Sequence, residues 1–313
     1  MRILVTGADG FIGRQLVARL LAGPPAPMAA FDELVLLDLR FSGPSPDPRV
    51  RRIQGSVADP ALLEGVFDQP FQWIVHLACI SGGAAEENFD LGRQVNLEST
   101  MRLLELARRQ AQPAIVVYSS SIGVYGKLPD LVTDDTPAKP SWSYGTHKMI
   151  GELLMTDYTR KGWVDARILR FPGIVARPLD TSGALSAFLS DLIREVSQGK
   201  PFAAPVSPGA QSWWMSVACC VDNILHAATL PASALGRERV WTLPPLRASI
   251  EEVVDGLARV YRVAARELVS YAPRAEIEER FGRLPEVRFE RSERMGFSND
   301  GTVDMLVRRA LVE

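Results

Sequence analysis

Cysteine and histidine are scarce in this sequence, and their placement excludes two kinds of site. Two of the three cysteines, Cys219 and Cys220, are adjacent, so the set does not make a disulfide framework. The three histidines, His76, His147 and His226, are scattered, and no metal-ligand spacing is present. We therefore predict neither a disulfide scaffold nor a metal centre.

Excess charge and long apolar runs are also missing. The formal net charge of −2 at pH 7 gives no electrostatic reason to expect nucleic acid or an anionic membrane as a partner. No uninterrupted apolar run approaches the ~20 residues that span a bilayer. The first apolar run begins at Ile3, so we expect no signal peptide. The composition favours a cytoplasmic protein that binds neither nucleic acid nor membrane.

Short apolar runs alternate with helix-like segments along the chain. The runs lie at residues 3–5, 34–37, 73–77, 114–118 and 166–169. Runs without polar alternation are typical of strands buried on both faces, so we predict an α/β fold, a doubly wound parallel sheet with helices on both sides. A further strand of this sheet is expected at 239–243. Near the C-terminus, Ser249 and Glu252 have the spacing of a capping box and predict the start of a helix at Ser249, and residues 249–262 are expected to begin the C-terminal region.

A glycine pattern directly follows the first apolar run. Gly7, Gly10 and Gly13 separate that run from an amphipathic segment. Strand, tight glycine turn and helix is the context of a Rossmann dinucleotide site, in which the helix start presents free N–H groups to phosphates. The alternative is a glycine-rich turn that joins strand to helix with nothing bound.

Two acidic residues extend the predicted cofactor site. Asp38 ends the second apolar run, where a carboxylate accepts hydrogen bonds from an adenosine ribose and repels a 2′-phosphate, which favours NAD over NADP. Arg40 nearby argues for the opposite preference, and a solvated Asp at a strand end is the simpler alternative. Asp59 either contacts the adenine or caps the helix that begins near Pro60.

Tyr144 and Lys148 form the candidate catalytic pair. A helix is predicted from residue 143 to about 160, on which these two side chains lie one turn apart on the same face. An ammonium and an oxidised nicotinamide both favour phenolate, so Tyr144 is predicted to take the proton of a substrate hydroxyl. Ser121, at the end of a strand, is predicted to hold the same oxygen. Taken alone, a Tyr and a Lys at this spacing are more often exposed surface residues with no catalytic role.

These motifs together resemble the extended short-chain dehydrogenase/reductases, a family that includes nucleotide-sugar epimerases and dehydratases. The resemblance rests on the glycine pattern, Asp38, Asp59, Ser121, Tyr144-x-x-x-Lys148 and residues 169–173, and it covers essentially the whole chain. It implies catalytic roles for Ser121, Tyr144 and Lys148, NAD as cofactor and a homodimer. The predicted cofactor site comprises Gly7, Gly10, Phe11, Ile12, Gly13, Asp38, Val57, Asp59, Leu77, Ala78, Asn96, Ser119, Tyr144, Lys148, Phe171, Gly173 and Ile174.

The resemblance also implies a division of the chain. In this family a Rossmann domain carries the cofactor, and a smaller C-terminal α/β domain binds the substrate. We expect residues 1–172, with about 216–244 returning to them, to form the first domain. Residues 173–215 and 245–313 are expected to form the second.

Several positions depart from the sugar-nucleotide members of the family. Gly173 stands where an asparagine contacts the nucleotide diphosphate, and Ser212 replaces a phosphate-binding arginine. Ala218 and Cys219 replace an acidic pair. A diphosphate needs donors and positive charge, so these changes favour a smaller substrate.

Other segments resemble family members that oxidise a four-carbon sugar acid at C2 with NAD. These segments lie at 81–86, 88–92, 143–146, 151–154, 175–178 and 295–297. Arg177 is the candidate partner for the acid's carboxylate, although a solvated or structurally paired arginine is an equal alternative. The predicted substrate site comprises Ser81, Gly82, Ser121, Tyr144, Arg177 and Trp214. Trp213 and Trp214 are expected either to line this site or to fill the core.

Two other functions stay open at this point. One is a nucleotide-sugar epimerase or dehydratase with tightly bound NAD. The other is a non-catalytic NAD-binding protein, against which the presence of both Tyr144 and Lys148 argues.

Overall fold

The computed structural model describes residues 1–23, 30–43, 47–178 and 186–311. The chain divides into two compact units that interleave in sequence. Unit 1 comprises residues 1–126, 138–170 and 224–241, and unit 2 comprises 127–137, 171–223 and 242–313. Residues 127–137 thus fall in unit 2, whereas the sequence places them in the first domain.

The strands are β1 (Arg2–Thr6), β2 (Glu33–Asp38), β3 (Val50–Gln54), β4 (Trp73–His76), β5 (Ile115–Ser121), β6 (Leu131–Thr133), β7 (Asp165–Phe171), β8 (Gly173–Val175), β9 (Phe202–Ala204), β10 (Gln211–Ser216), β11 (Val240–Thr242), β12 (Leu246–Ser249), β13 (Val269–Tyr271) and β14 (Glu286–Arg288).

The α-helices are α1 (Phe11–Leu21), α2 (Pro60–Val66), α3 (Gly82–Glu87), α4 (Phe89–Arg93), α5 (Ser99–Ala107), α6 (Ser143–Arg160), α7 (Ala187–Ser197), α8 (Val217–Thr229), α9 (Ala232–Leu235), α10 (Ile250–Tyr261), α11 (Ala265–Leu268), α12 (Ala275–Phe281), α13 (Glu290–Arg294) and α14 (Val303–Ala310). Residues Gln94–Glu98 form a π-helical turn and Ile122–Val124 a 3₁₀ turn.

Unit 1 is built on a seven-stranded sheet with the order β11-β7-β5-β4-β1-β2-β3. The pairings among β5, β4, β1, β2 and β3 are parallel. This order reverses direction beside β1, and open α/β sheets bind ligands outside the carboxyl ends of their strands at such a point. The predicted Rossmann-type fold and its apolar strands are confirmed, including the late strand near 240.

One strand of this sheet was missed. β3 reads Val-Arg-Arg-Ile-Gln and lies at the sheet edge, where its side chains are only partly buried. An edge strand needs no continuous apolar run, because one of its sides faces no neighbour. The apolar pattern therefore carried no signal for it.

Unit 2 contains a three-stranded sheet, β12-β10-β8, and two two-stranded ones. Its core gathers apolar residues of α7, α10, α14 and β10. The predicted capping box is confirmed: the Ser249 hydroxyl accepts from the Glu252 N–H at 3.2 Å, and the Glu252 carboxylate accepts from the Ser249 N–H at 2.6 Å. The helix α10 ends before Arg262, whose φ of 56° is left-handed.

A network of polar side chains joins the C-terminal part of unit 2 to the end of β10. We call it the Asp300 cluster, and it comprises Ser216, Cys219, Asn223, Asp300 and Arg309. Asp300 accepts from the N–H and hydroxyl of Ser216 at 2.8 and 2.5 Å. The Ser216 hydroxyl accepts from the Cys219 N–H, and the Asn223 amide donates to the Cys219 carbonyl. A carboxylate from 84 residues further along the chain thus lies beside the segment that lacks the family's acidic pair.

Trp213 and Trp214 lie in the interior of unit 2, and neither side chain is exposed. Their indole N–H groups donate to the carbonyls of Pro285 and Ala248, at 2.8 and 3.0 Å. The prediction of Trp214 as a substrate-binding residue is therefore wrong, because a fully buried and hydrogen-bonded indole lines no open pocket. Cys219 and Cys220 are buried as well.

Across the described ranges, no helix combines the length and apolar character needed to cross a membrane.

Candidate active site

The glycine turn lies between the carboxyl ends of β1, β2 and β4. Gly7 has a φ of 69°, and its N–H donates to the Leu37 carbonyl at 2.9 Å. A Cβ on Gly7 would lie 2.7 Å from the Ala78 nitrogen, and one on Gly13 would lie 2.1 Å from the Gly7 carbonyl oxygen. Side chains at these positions would fill the turn and push α1 away from it. The open cradle fits a dinucleotide, whose pyrophosphate needs close approach of the backbone.

The start of α1 completes this cradle. Gly10 is the N-cap residue and provides no side chain to the first-turn N–H groups of Phe11, Ile12 and Gly13. The first N–H groups of any helix have no partner within the helix and carry partial positive charge. This end of α1 is therefore suited to phosphate.

Asp38 lies at the end of β2, beside the cradle. One carboxylate oxygen accepts from the Asp9 N–H at 2.8 Å, and the other accepts from the Leu39 N–H at 2.7 Å. These bonds fix the carboxylate plane and leave each oxygen a further lone pair, which suits ribose hydroxyls. Arg40 is exposed.

Asp59 takes the second of its two predicted roles. Its carboxylate accepts from the N–H groups of Ala61 and Leu62 at 3.0 and 3.2 Å, and Pro60 begins α2. Capping accounts for the residue. Val57, two residues before Asp59, is buried.

Asn96 lies in the π-helical turn, and its side chain holds the loop that follows β4. The amide oxygen accepts from the Ile80 N–H at 2.7 Å, and the amide nitrogen donates to the Ile80 carbonyl at 3.0 Å. Asn96 is among the residues predicted for the cofactor site. Both groups of its amide bond the Ile80 backbone, so Asn96 orients the loop that follows β4.

His76 also supports the loop that follows β4, through a chain of hydrogen bonds whose donors and acceptors can be assigned. Thr100 donates its hydroxyl hydrogen to the Asn96 carbonyl at 2.9 Å, so it accepts from His76 Nε2–H at 3.0 Å. His76 Nδ1 therefore accepts from the Thr6 hydroxyl at 2.7 Å, whose oxygen accepts from the Ala78 N–H. Burial lowers the pKa of His76 to about 3, which keeps the ring neutral and this pattern intact.

Lys148 is buried on α6, with 2% of its surface exposed. Its ammonium donates to the Ser119 carbonyl at 2.5 Å and lies 4.9 Å from the ring centroid of Tyr118 and 5.7 Å from that of Tyr144. Burial lowers the pKa of Lys148. The structure thus brings the predicted Tyr–Lys pair together at the end of β5.

Ser121 ends β5 and is partly exposed. Its hydroxyl accepts from the Gly123 N–H at 3.0 Å, at the start of the 3₁₀ turn. The Gly123 carbonyl in turn accepts from the indole of Trp142 at 3.0 Å, and that indole packs edge-on against the Tyr144 ring, with 5.5 Å between ring centroids. The strand end with Ser121 and the helix start with Tyr144 are therefore joined through one side chain.

A buried ion pair lies behind these residues. Arg170 binds the Glu152 carboxylate through two bonds of 2.9 and 2.7 Å, and Ser120 donates to the same carboxylate at 2.5 Å. Interaction with Glu152 raises the pKa of Arg170 against the opposing effect of burial. With Ser119 and Lys148, these residues form the β5–α6 cluster, which ties the ends of β5 and β7 to α6.

The model of the NAD dependent epimerase/dehydratase family matches residues 3–239. The chain belongs to this family.

Its relatives include two proteins named D-erythronate dehydrogenase. That of Cupriavidus necator is 37% identical over 317 aligned residues, covering 98% of this chain and 97% of the relative. That of Haemophilus influenzae is 33% identical over 273 residues, covering 87% and 86%. A solved structure described as a nucleoside-diphosphate-sugar epimerase of Agrobacterium tumefaciens is similar with a TM-score of 0.90 and 29% identity, over 98% of this chain and 92% of that one.

As a member of the epimerase/dehydratase family, this chain is an NAD-dependent oxidoreductase, and unit 1 carries most of its predicted site. Ser81 and Gly82 follow β4 in the same unit. Phe171, Gly173, Ile174 and Arg177 lie in unit 2, and their roles stay predictions. Arg194 donates to the carbonyls of Ala176 and Arg177, which fixes the backbone at Arg177.

No role was predicted from the sequence for Trp142, His76 or the Glu152–Arg170 pair. For Glu152 a signal existed, because it follows Lys148 by one helical turn on a face that is otherwise buried. The hydrogen bonds from Trp142 to Gly123 and from His76 to Thr100 span 19 and 24 residues, which no local pattern reports.

Proposed function

We propose that this protein oxidises the C2 hydroxyl of a small sugar acid with NAD, converting D-erythronate to 2-oxo-erythronate. The observation that carries the proposal is the buried Lys148 ammonium beside the Tyr144 ring at the end of β5. The relatives named D-erythronate dehydrogenase support the substrate.

The glycine cradle and the start of α1 would hold the pyrophosphate of NAD, and Asp38 would hold its adenosine ribose. Lys148 and Ser119 would hold the nicotinamide ribose. When bound, NAD⁺ supplies the hydride acceptor. The further contacts proposed for it are Val57, Leu77, Ala78, Phe171, Gly173 and Ile174.

Tyr144 is the general base of the proposed reaction. Its phenolate oxygen accepts the proton of the C2 hydroxyl as the carbon becomes a ketone. The Lys148 ammonium favours the phenolate because opposite charges attract strongly where water is excluded. Ser121 donates a hydrogen bond to the same substrate oxygen and fixes its distance and angle.

Arg177 is proposed to bind the substrate carboxylate through two parallel hydrogen bonds. Ser81 and Gly82 are proposed to contact the hydroxyl-bearing chain of the substrate. The substitutions at Gly173 and Ser212 support a substrate without a diphosphate.

We also propose a homodimer. Large apolar side chains are exposed on two neighbouring helices of unit 1, Met101 at 45% on α5 and Leu153 at 62% on α6. A second copy of the chain would cover them. Light scattering measures the mass of the purified protein.

The experiment follows NADH absorbance while the enzyme is offered D-erythronate, its stereoisomers and UDP- or dTDP-sugars. We expect NADH to form with D-erythronate, and we expect Tyr144→Phe to abolish it while NAD binding is kept. Turnover of a sugar nucleotide with no net NADH would instead identify an epimerase. An unchanged rate in Tyr144→Phe would reject the assigned base.

A further inference from the structure

Trp142 lies between three segments of unit 1 that carry proposed substrate contacts. It precedes α6, and its half-buried indole donates to the Gly123 carbonyl at 3.0 Å. Gly123 belongs to the turn that follows Ser121. The indole is therefore anchored at one edge while part of its surface faces solvent.

Glycines surround this indole. A Cβ on Gly82 would lie 2.3 and 2.4 Å from two atoms of the six-membered ring, and one on Gly123 would lie 3.0 Å from a third. A Cβ on Gly145 would lie 2.8 Å from the indole nitrogen. The loop after β4, the turn after β5 and the start of α6 thus all contact the ring at van der Waals distance.

The contact with Tyr144 places the indole next to the proposed base. The two rings meet edge to face, with centroids 5.5 Å apart and an angle of 63° between planes. The indole occupies the corner bounded by Gly82, the Ser121 turn and Tyr144. A substrate whose hydroxyl reaches Tyr144 and Ser121 and whose chain contacts Gly82, as proposed above, extends along this corner.

We propose that Trp142 is the specificity-determining residue of this site, its indole limiting the length of the sugar acid that can place its C2 hydroxyl at Tyr144. The inference rests on the proposed function. A Trp side chain is large and has two side-chain torsions, and its three sets of neighbours hold it in place. A four-carbon acid fits beside such a wall, whereas a six-carbon chain collides with it.

A purely structural role makes a different prediction. If the indole serves only to hold the Ser121 turn through Gly123, removing it slows the oxidation of every substrate by the same factor. A wall that limits length changes the ratio between long and short substrates. The ratio of kcat/KM values therefore separates the two roles.

The test measures kcat/KM with NAD for a four-carbon and a six-carbon aldonate in the wild type, Trp142→Ala and Trp142→Phe. Trp163→Phe is the matched control, since Trp163 is also half-buried in unit 1 but packs on Tyr158, at the far end of α6. We expect the six- to four-carbon ratio to rise by about tenfold in Trp142→Ala, less in Trp142→Phe, and not in the control. An equal loss on both substrates would overturn the proposal.

Two outcomes need a further measurement. If Trp142→Ala does not fold, Trp142→Phe decides, because a smaller ring still shortens the wall. If the wild type leaves D-erythronate unoxidised, the proposed function fails on its own. The length limit is then judged by calorimetric binding of the two aldonates to the NAD complex. Preference for the shorter acid that disappears in Trp142→Phe or Trp142→Ala supports it, and equal or absent binding in the wild type overturns it.

Discussion

The β5–α6 cluster of unit 1 and the Asp300 cluster of unit 2 are both buried polar networks. They differ in whether partly exposed side chains with proposed catalytic roles lie next to them. In the first, Lys148 lies below the Tyr144 ring, and the neighbouring Ser121 and Tyr144 are partly exposed. In the second, Asp300 is fully buried and its carboxylate is bound by Ser216 and Arg309. We infer that the β5–α6 cluster supports the proposed catalytic residues and that the Asp300 cluster stabilises the fold of unit 2.

The largest expected effect that tests this contrast is on catalytic rate. Lys148→Met removes the ammonium beside Tyr144 while keeping a side chain of similar length. We expect kcat to fall by about 10²- to 10⁴-fold. The free energy of unfolding should change little, because no unpaired charge is left buried.

Steady-state NADH production and urea unfolding measure these two quantities for Lys148→Met. A rate within tenfold of the wild type would remove Lys148 from the chemistry. A large loss of stability with a normal rate would show that the β5–α6 cluster, like the Asp300 cluster, only stabilises the fold.

The next effect is on stability. Asp300→Asn leaves the buried Ser216 donors without a carboxylate, while Arg309 keeps its ion pair with Asp222, and we expect unfolding to become easier by about 3 kcal/mol. Asp304→Asn is the control, because the Asp304–Arg259 pair is exposed and its loss costs less than about 1 kcal/mol. Urea unfolding measures both. Similar losses in the two variants would show that the Asp300 network has no special role.

The smallest effect is a pH dependence within unit 1. The pKa of His76 is about 3 in the folded protein, so between pH 6.5 and 3 the unfolded chain binds a proton that the folded chain does not. Stability therefore falls as the pH falls through this range, by about 2 kcal/mol between pH 7 and pH 5.

Urea unfolding at these two pH values tests the role of His76. In His76→Gln, which cannot titrate, the loss between the two pH values should be smaller by that amount. The other acids of the protein are common to both chains and cancel. Equal losses would contradict a neutral, buried His76. The expected result would show that the hydrogen bonds of His76 stabilise unit 1, as the Asp300 cluster is proposed to stabilise unit 2.

Local signals explain what was predictable from the sequence. The glycine turn, the capping box at Ser249 and the pair Tyr144 and Lys148 on α6 each depend on residues within six positions of one another. The strands were predicted from apolar runs alone. β3 lies at the sheet edge and contains Arg51 and Arg52, so it has no apolar run and was not predicted.

Long-range contacts explain the rest. Trp214 was predicted as a substrate contact and is fully buried, whereas Trp142 packs against Tyr144, because burial follows from tertiary packing and not from residue type. Asn96 was predicted as a cofactor contact, but its amide bonds Ile80, which lies 16 residues earlier. In each case the residue type was informative, and the neighbour that decides its role was not adjacent in the chain.

The return of residues 224–241 to unit 1 has a consequence for synthesis on the ribosome. The central sheet contains β11, which is translated only after β8, β9 and β10 of unit 2. Until residue 242 has left the exit tunnel, β7 presents an unpaired edge of backbone N–H and C=O groups. The nascent cofactor-binding half is therefore open to strand addition during that interval, and a fragment ending near residue 170 keeps this open edge permanently.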